Sequence, residues 1–209
     1  MRTRRFAGAL LWAWMVAAYA QQVKTVEYRD AANGASFAYP AEWRADPGLG
    51  FYMQDDILEP TAVGRVAEQA IMKVGFENRG TGPYAGTNLD GVEFVYFVVP
   101  GGSRAACEGR VRREQDTSQG DRAPAGVVIG GVTYLHLRTG DAGLGHDAYH
   151  DLYGGYLADR CYLFEGVVHT IAAQAHTSDP TPLTGVQQKA LRAQLEAVMR
   201  SVRIAPPSR

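Results

Sequence analysis

The sequence predicts an α+β fold: an antiparallel β-sheet flanked by helices, with a C-terminal helix packed on the sheet. Three observations carry that prediction. Short apolar and aromatic runs of strand type recur between Gly- and Pro-containing turn signals. One of these runs, "VEFVYFVV" at residues 92–99, is apolar on both faces apart from Glu93, as a central strand covered on both sides would be. Near the end, Thr184 and Gln187 form a capping-box pattern ahead of Leu191, Leu195, Val198 and Val202 at helical spacing.

The chain begins "MRTRRFAGALLWAWMVAAYA-QQ". Three arginines precede an uncharged apolar run that ends in Ala18-Tyr19-Ala20, a small-x-small cleavage pattern, with polar Gln21 and Gln22 after it. This is the build of a secretory signal peptide over residues 1–20, and the run is short for a bilayer span. The expected organisation is therefore signal peptide 1–20, one globular domain over 21–205 and a tail at 206–209. The protein is expected in the periplasm or the medium, with no membrane span after cleavage. Three arginines leave with the signal, which takes the formal charge from −1 to −4. A mildly acidic surface argues against nonspecific binding of nucleic acid.

Residues 24–30 and 35–39 read as two strands joined at Asn33-Gly34, a favoured two-residue hairpin turn. Pro40 ends the second, and Phe37, Tyr39 and Trp43 are expected to face the core. Residues 63–76 fit both periodicities, and a strand over 67–77 is the reading adopted, because a Gly- and Asn-rich turn follows. Residues 103–125 are polar and charged and read as an exposed excursion carrying Cys107. Strands follow at 127–139, around Gly130-Gly131, then at 146–156 and 161–171, with "LADR" as the turn between the last two. Arg192, Gln194 and Glu196 of the final helix are expected to face water.

Export bears on the two cysteines, Cys107 and Cys161. Two cysteines in an oxidising compartment most often pair. A redox pair is usually close in sequence, and this one is not.

Two segments resemble secreted bacterial domains of the PsbP/Mog1-like class: "FAYPAEW" at residues 37–43 and "VMRSVRI" at residues 198–204. The resemblance implies an α/β/α sandwich around an antiparallel sheet. It carries over no catalytic residue, because the class shares none, and fold alone assigns no function.

Each chemical candidate has a structural competitor. His146 and His150, four apart, would meet on one face of a helix and could share a zinc ion. On a strand they lie on one face but about 13 Å apart, too far for one ion. The surrounding glycines and tyrosines favour the strand, and His136 on a neighbouring strand would have to complete a cross-strand metal site. Glu93 and Glu165, in apolar strands, could work as acid and base, or could point to a sheet edge or to Arg138 or Arg160. Asp55, Asp56 and Glu59 lack the spacing of a calcium loop. "GTGPYAG" lacks the lysine of a phosphate loop, and Ser103 lacks the glycine elbow of a serine nucleophile. Tyr134, Tyr149, Tyr153 and Tyr162 could form an aromatic face for a ligand or partner, against ordinary cross-strand packing. The expectation is a non-enzymatic exported domain, with no cofactor, binding an envelope or extracellular protein or a small ligand. The alternative is a metal-assisted hydrolase using His146, His150 and His136.

Overall fold

The structure is a computed structural model that describes residues 23–46, 70–117, 123–143, 145–172 and 180–205. The expected signal peptide, Asp55, Asp56, Glu59, the 63–69 part of the ambiguous segment and the tail at 206–209 lie outside the described residues.

The chain runs β1 (Thr25–Asp30), β2 (Ala35–Pro40), β3 (Arg44–Asp46), β4 (Met72–Glu77), β5 (Leu89–Pro100), α1 (Arg104–Thr117), β6 (Ala125–Ile129), β7 (Val132–Gly143), β8 (His146–Leu157), β9 (Arg160–Ile171), α2 (Gly185–Ser201) and β10 (Arg203–Ile204). A seven-stranded sheet has the order β3-β4-β5-β9-β8-β7-β6, and a three-stranded sheet has the order β1-β2-β10. All of these pairings are antiparallel. The α+β class with a C-terminal helix on the sheet is the observed architecture.

The large sheet is covered on both faces. Along a strand, alternate side chains point to opposite faces. On one face, Phe94 and Tyr96 of β5 and Tyr162 and Phe164 of β9 meet Leu191, Leu195, Val198 and Met199 of α2 and Phe37 of β2. Phe37 stacks edge-on against Phe94 at 5.2 Å and against Tyr96 at 6.2 Å. On the other face, Val95, Phe97, Leu152 and Leu163 meet Cys107 and Val111 of α1. These are the α2 face and the α1 face.

Two glycines of β8 admit this packing. A Cβ on Gly154 would sit 2.5 Å from Val111 of α1, and one on Gly155 would sit 2.6 Å from the Tyr134 ring. The adjacent pair thus makes room for one neighbour on each face.

Several expected elements change on folding. The excursion at 103–125 is in part the helix α1, and Cys107 and Val111 on it are buried. Its charge pattern conceals the apolar side, because only a narrow stripe packs on the sheet. The single strand expected at 127–139 is a hairpin. Gly130 and Gly131 both have positive φ, at 57° and 82°, and form its two-residue turn. The β1–β2 turn is longer than expected. Asp30 pairs with Ala35 across four loop residues, and the Asp30 carboxylate accepts hydrogen bonds from the Ala32 and Asn33 N–H groups. The described part of the ambiguous segment is strand from Met72, and Val202 caps α2 instead of continuing it. "LADR" is a two-residue turn as read, with Ala158 and Asp159 at φ 49° and 56°.

The two resemblance segments lie side by side. Ser36 pairs with Arg203 and Ala35 with Ile204. The Ser201 hydroxyl accepts from the Ala38 N–H at 2.8 Å, so the end of α2 is tied to β2.

Thr184 caps α2 with both bonds of the capping box present. The disulfide Cys107–Cys161, with a sequence separation of 54, fastens α1 to the first turn-proximal residues of β9. Closing a loop of that length restricts the unfolded chain by about 4 kcal/mol in the chain-entropy model. The Cys107→Ser/Cys161→Ser variant is therefore expected to lose up to about 4 kcal/mol of unfolding free energy, measured by urea titration against the oxidised protein. An unchanged midpoint would remove the bridge from the account of stability.

Candidate functional site

The hairpins β6–β7 and β7–β8–β9 decide which chemical side chains meet. Register pairs His136 with Tyr153, Arg138 with Asp151 and Thr139 with His150. His136 therefore shares a face with Tyr153 and Asp151, the α2 face. His146 and His150 project from the α1 face of β8. The three histidines do not converge, and the metal-assisted reading is corrected on that ground: a period of two places His136 on the opposite side of the sheet from the other two. Among the described residues, no group of three or more His, Cys, Asp or Glu side chains is arranged to hold a metal ion.

Each described histidine has a carboxylate near it instead. His150 Nδ1 lies 2.8 Å from Glu165 Oε1, and both residues are buried. His169 Nε2 lies 3.8 Å from Glu93 Oε2, also in the interior. His146 Nδ1 lies 3.9 Å from Asp90 Oδ2 at the end of the sheet. Glu93 and Glu165 thus sit on central strands, not at an edge, and histidines stand where arginines were expected. Arg160 instead donates to the Ala32 carbonyl, and Arg138 to Asp151. The "LADR" turn holds the clue to the His150–Glu165 pair. Pairing Leu157 with Arg160 puts Leu152 opposite Glu165, and His150 is then its diagonal neighbour on the same face.

The four tyrosines share the α2 face, but at different depths. Tyr134 and Tyr162 are fully buried, so neither offers a surface to a ligand. Tyr162 donates its O–H to the Asn33 carbonyl at 2.8 Å, holding the β1–β2 turn. Tyr149 and Tyr153 lie along the same flank of α2, beside its N-terminal and C-terminal halves, and each lines a depression.

Beside Tyr149, a cavity of about 250 Å³ is bounded by Asp147, Thr170, Leu183 and Arg192. The Arg192 guanidinium stands 5.1 Å from the centre of the Tyr149 ring.

Beside Tyr153, a groove of about 450 Å³ runs between the β6–β7–β8 end of the sheet and the C-terminal half of α2. Its apolar lining comes from Val127, Ile129 and Met199, and its polar lining from His136, Arg138, Glu196, Arg200 and Arg203. The His136 ring stacks on Tyr153 with centroids 4.2 Å apart and planes 3° from parallel. His136 Nε2 and Arg138 Nε both reach Asp151 Oδ1, at 2.8 and 2.7 Å. Glu196 accepts from Arg200 at 2.6 Å. Arg203 Nη1 donates to the carbonyls of Arg200 and Val202, at 2.9 and 2.7 Å. These contacts give the groove a fixed polar wall. A volume of this size, lined in about equal part by apolar and polar groups, suits a ligand or a partner side chain.

Burial by itself would raise the Asp151 carboxyl. The hydrogen bonds from His136 and Arg138, with their charges, outweigh it and hold that carboxyl below the ordinary aspartate value. Burial pushes the Tyr153 phenol well above its ordinary value, so it stays protonated. Because the folded Asp151 pKa lies below the unfolded one, near 3.9, its contribution is complete above that pH. The contribution disappears as pH falls through the folded value. The stability gap between the protein and its Asp151→Asn variant should accordingly close as pH drops below about 4. Urea unfolding across that range checks it, and a gap that widens in acid contradicts the assignment.

No protein-family model matches this chain, and no curated protein matches it in sequence. Similarity to solved structures is found at low identity. LpqN, involved in cell envelope biogenesis of Mycobacterium tuberculosis, is 9% identical with a TM-score of 0.46, over 90% of this chain and 88% of that one. A protein from Bacteroides thetaiotaomicron VPI-5482 is 12% identical with a TM-score of 0.43, and this chain, 86% covered, spans about half (48%) of it. Cyanobacterial PsbP from Synechocystis sp. PCC 6803 is 12% identical with a TM-score of 0.44, over 88% of this chain and 94% of that one.

Proposed function

We propose that this protein is an exported, non-enzymatic binding domain, which holds an envelope or extracellular protein or a small ligand in the groove between the β6–β7–β8 end of the sheet and α2. The observation that carries the reading is the groove itself: about 450 Å³, with a mixed apolar and polar lining in which the Asp151 hydrogen bonds hold His136 and Arg138 in place. Rigid walls lower the ordering cost of binding. Of the four tyrosines considered for the site, Tyr153 serves this groove and Tyr149 the smaller cavity further toward the N-terminal end of α2.

The non-enzymatic part rests on how the titratable groups are spent. Asp151 accepts from two donors and is held ionised. Acting as a general base, it would have to give up both bonds.

Export rests on the N-terminal pattern and agrees with a cross-link between Cys107 and Cys161, which persists in oxidising compartments. No helix among the described residues is long and apolar enough to cross a membrane.

Two measurements test this reading. Intact-mass analysis of the protein recovered from the exported fraction of its native cell should give a chain beginning at Gln21 with two fewer hydrogens than the dithiol form. A mass retaining residues 1–20 contradicts export with cleavage. For binding, a photo-crosslinking amino acid in place of Glu196, at the groove, should give a discrete adduct in the native compartment. The same group in place of Val186, exposed on α2 and about 15 Å away along the helix, should give none. Equal adducts, or none at Glu196, would sink the groove as the site.

A further inference from the structure

Among the described residues the two sheets end in four edge strands: β1 and β10 in the small sheet, β3 and β6 in the large one. A free edge presents unpaired N–H and C=O groups and invites another strand, so edges are usually guarded by charge, proline or shortness. Three of the four are guarded in this way. Strand β1 carries Glu27 and Arg29, β10 is two residues long and carries Arg203, and β3 is three residues long with Arg44 and Asp46.

Strand β6 has no such guard. Its sequence, Ala125-Gly126-Val127-Val128-Ile129, contains no charge and no proline. Ala125, Gly126 and Val128 are exposed, and Val128 shows 68% of its surface to solvent, a large value for an apolar side chain. Its backbone is partly free as well. In a hairpin closed by a two-residue turn, the residues next to the turn exchange both hydrogen bonds, and every second pair outward does the same. Ile129, Val127 and Ala125 therefore bond β7, while the N–H and C=O of Val128 and Gly126 point away from the sheet.

The groove adjoins this edge on the α2 face. Of its three guanidinium groups, Arg138 is paired with Asp151 and Arg200 with Glu196. Arg203 has no carboxylate partner among the described residues. It is steadied by the two carbonyls at the end of α2, and it packs beside the β6–β7 turn, where a Cβ on Gly130 would lie 3.4 Å from its Cδ. A fixed guanidinium with donors to spare is a carboxylate-binding group.

From these observations we infer that β6 is a docking edge for an extended, acidic segment of a protein partner, which adds as a further strand and sets a carboxylate against Arg203. The inference rests on the groove being the binding site, and it names the partner's chemistry. Main-chain hydrogen bonds to Val128 and Gly126 supply the affinity, and Arg203 with the rest of the groove supplies the selection. A second copy of this chain fits less well. Its own β6 carries no acidic residue, so β6-to-β6 pairing would bring no carboxylate from that strand to Arg203.

The test uses the purified protein and fluorescent peptides of alternating valine and glutamate, with the valine–lysine peptide as counterpart, read by fluorescence polarisation. The acidic peptide should bind saturably, and the basic one about tenfold or more weaker. Arg203→Gln should abolish most of that preference. Val128→Pro removes an outward N–H while leaving the β7 ladder intact, and should weaken the acidic peptide about tenfold or more without changing the thermal midpoint. Gly126→Pro removes the other outward N–H and replaces it if that variant does not fold. In the unaltered protein, the Gly126 and Val128 amides should gain hydrogen-exchange protection when the peptide binds.

Besides a failure of both peptides to bind, three results would overturn the inference. One is equal binding of the two peptides. Another is binding without protection at those amides. The third is a concentration-dependent dimer that the proline variant abolishes, which would make a second copy the occupant. If Glu196 cross-links a partner but neither peptide binds, the groove stands as the site and the added strand falls. If Glu196 cross-links nothing and the acidic peptide binds at β6, the converse holds.

Discussion

The ladder joining β5, β9 and β8 is the constraint on which the rest of the molecule depends. Each of these strands is 12 residues long, and they pair antiparallel over nearly their whole length. A slip of one residue would send every side chain to the other face. Tyr96, Phe164 and Tyr162 would then leave the α2 core, and Cys161 would leave Cys107. The register is held at the turn end of the ladder. The two-residue turn at Ala158-Asp159 sets β8 against β9, and the disulfide ties β9 to the helix lying over β8.

The same ladder divides the chemistry of the protein in two. The α1 face takes the disulfide, the histidine–glutamate pairs and a smaller apolar cluster. The α2 face takes most of the aromatic rings, the small sheet and both depressions beside α2. Burying ionisable groups is costly unless they pair, which is why Glu165 and His150 are found together in the interior. At the groove the economy differs. Asp151 is partly covered and holds two donors, so its wall is stiff without being sealed.

Helix α2 forms one boundary of both depressions, and its position is set locally. The capping box fixes its start, and Ser201 binds the backbone of β2 at its end. Leu191, Leu195 and Val198 then fall on the sheet, and the face bearing Arg192, Glu196 and Arg200 at successive turns becomes the wall of both depressions, Arg192 at the smaller and Glu196 and Arg200 at the larger. The short pairing of β10 with β2 brings Arg203 to the corner where the β6–β7 turn ends.

Period and punctuation made much of this legible in the residues. The apolar run at 92–99, the capping box and the turn at "LADR" marked the central strand, the last helix and the β8–β9 hairpin, because each depends on contacts within a few positions. The pairing of Cys107 with Cys161 followed from redox chemistry and the scarcity of cysteine. Other features needed the folded chain. Helix α1 was concealed because its apolar stripe is narrow and acquires meaning only against Gly154 and Leu163. His136, His146 and His150 looked alike as residues, and only strand register separated their faces. The depths of the four tyrosines, the pairing of His150 with Glu165 and the open edge of β6 beside Arg203 were likewise decided by tertiary structure. Sequence carries the order of side chains along a strand, but which strands lie next to each other, and what covers each face, is set by packing between segments far apart in the chain.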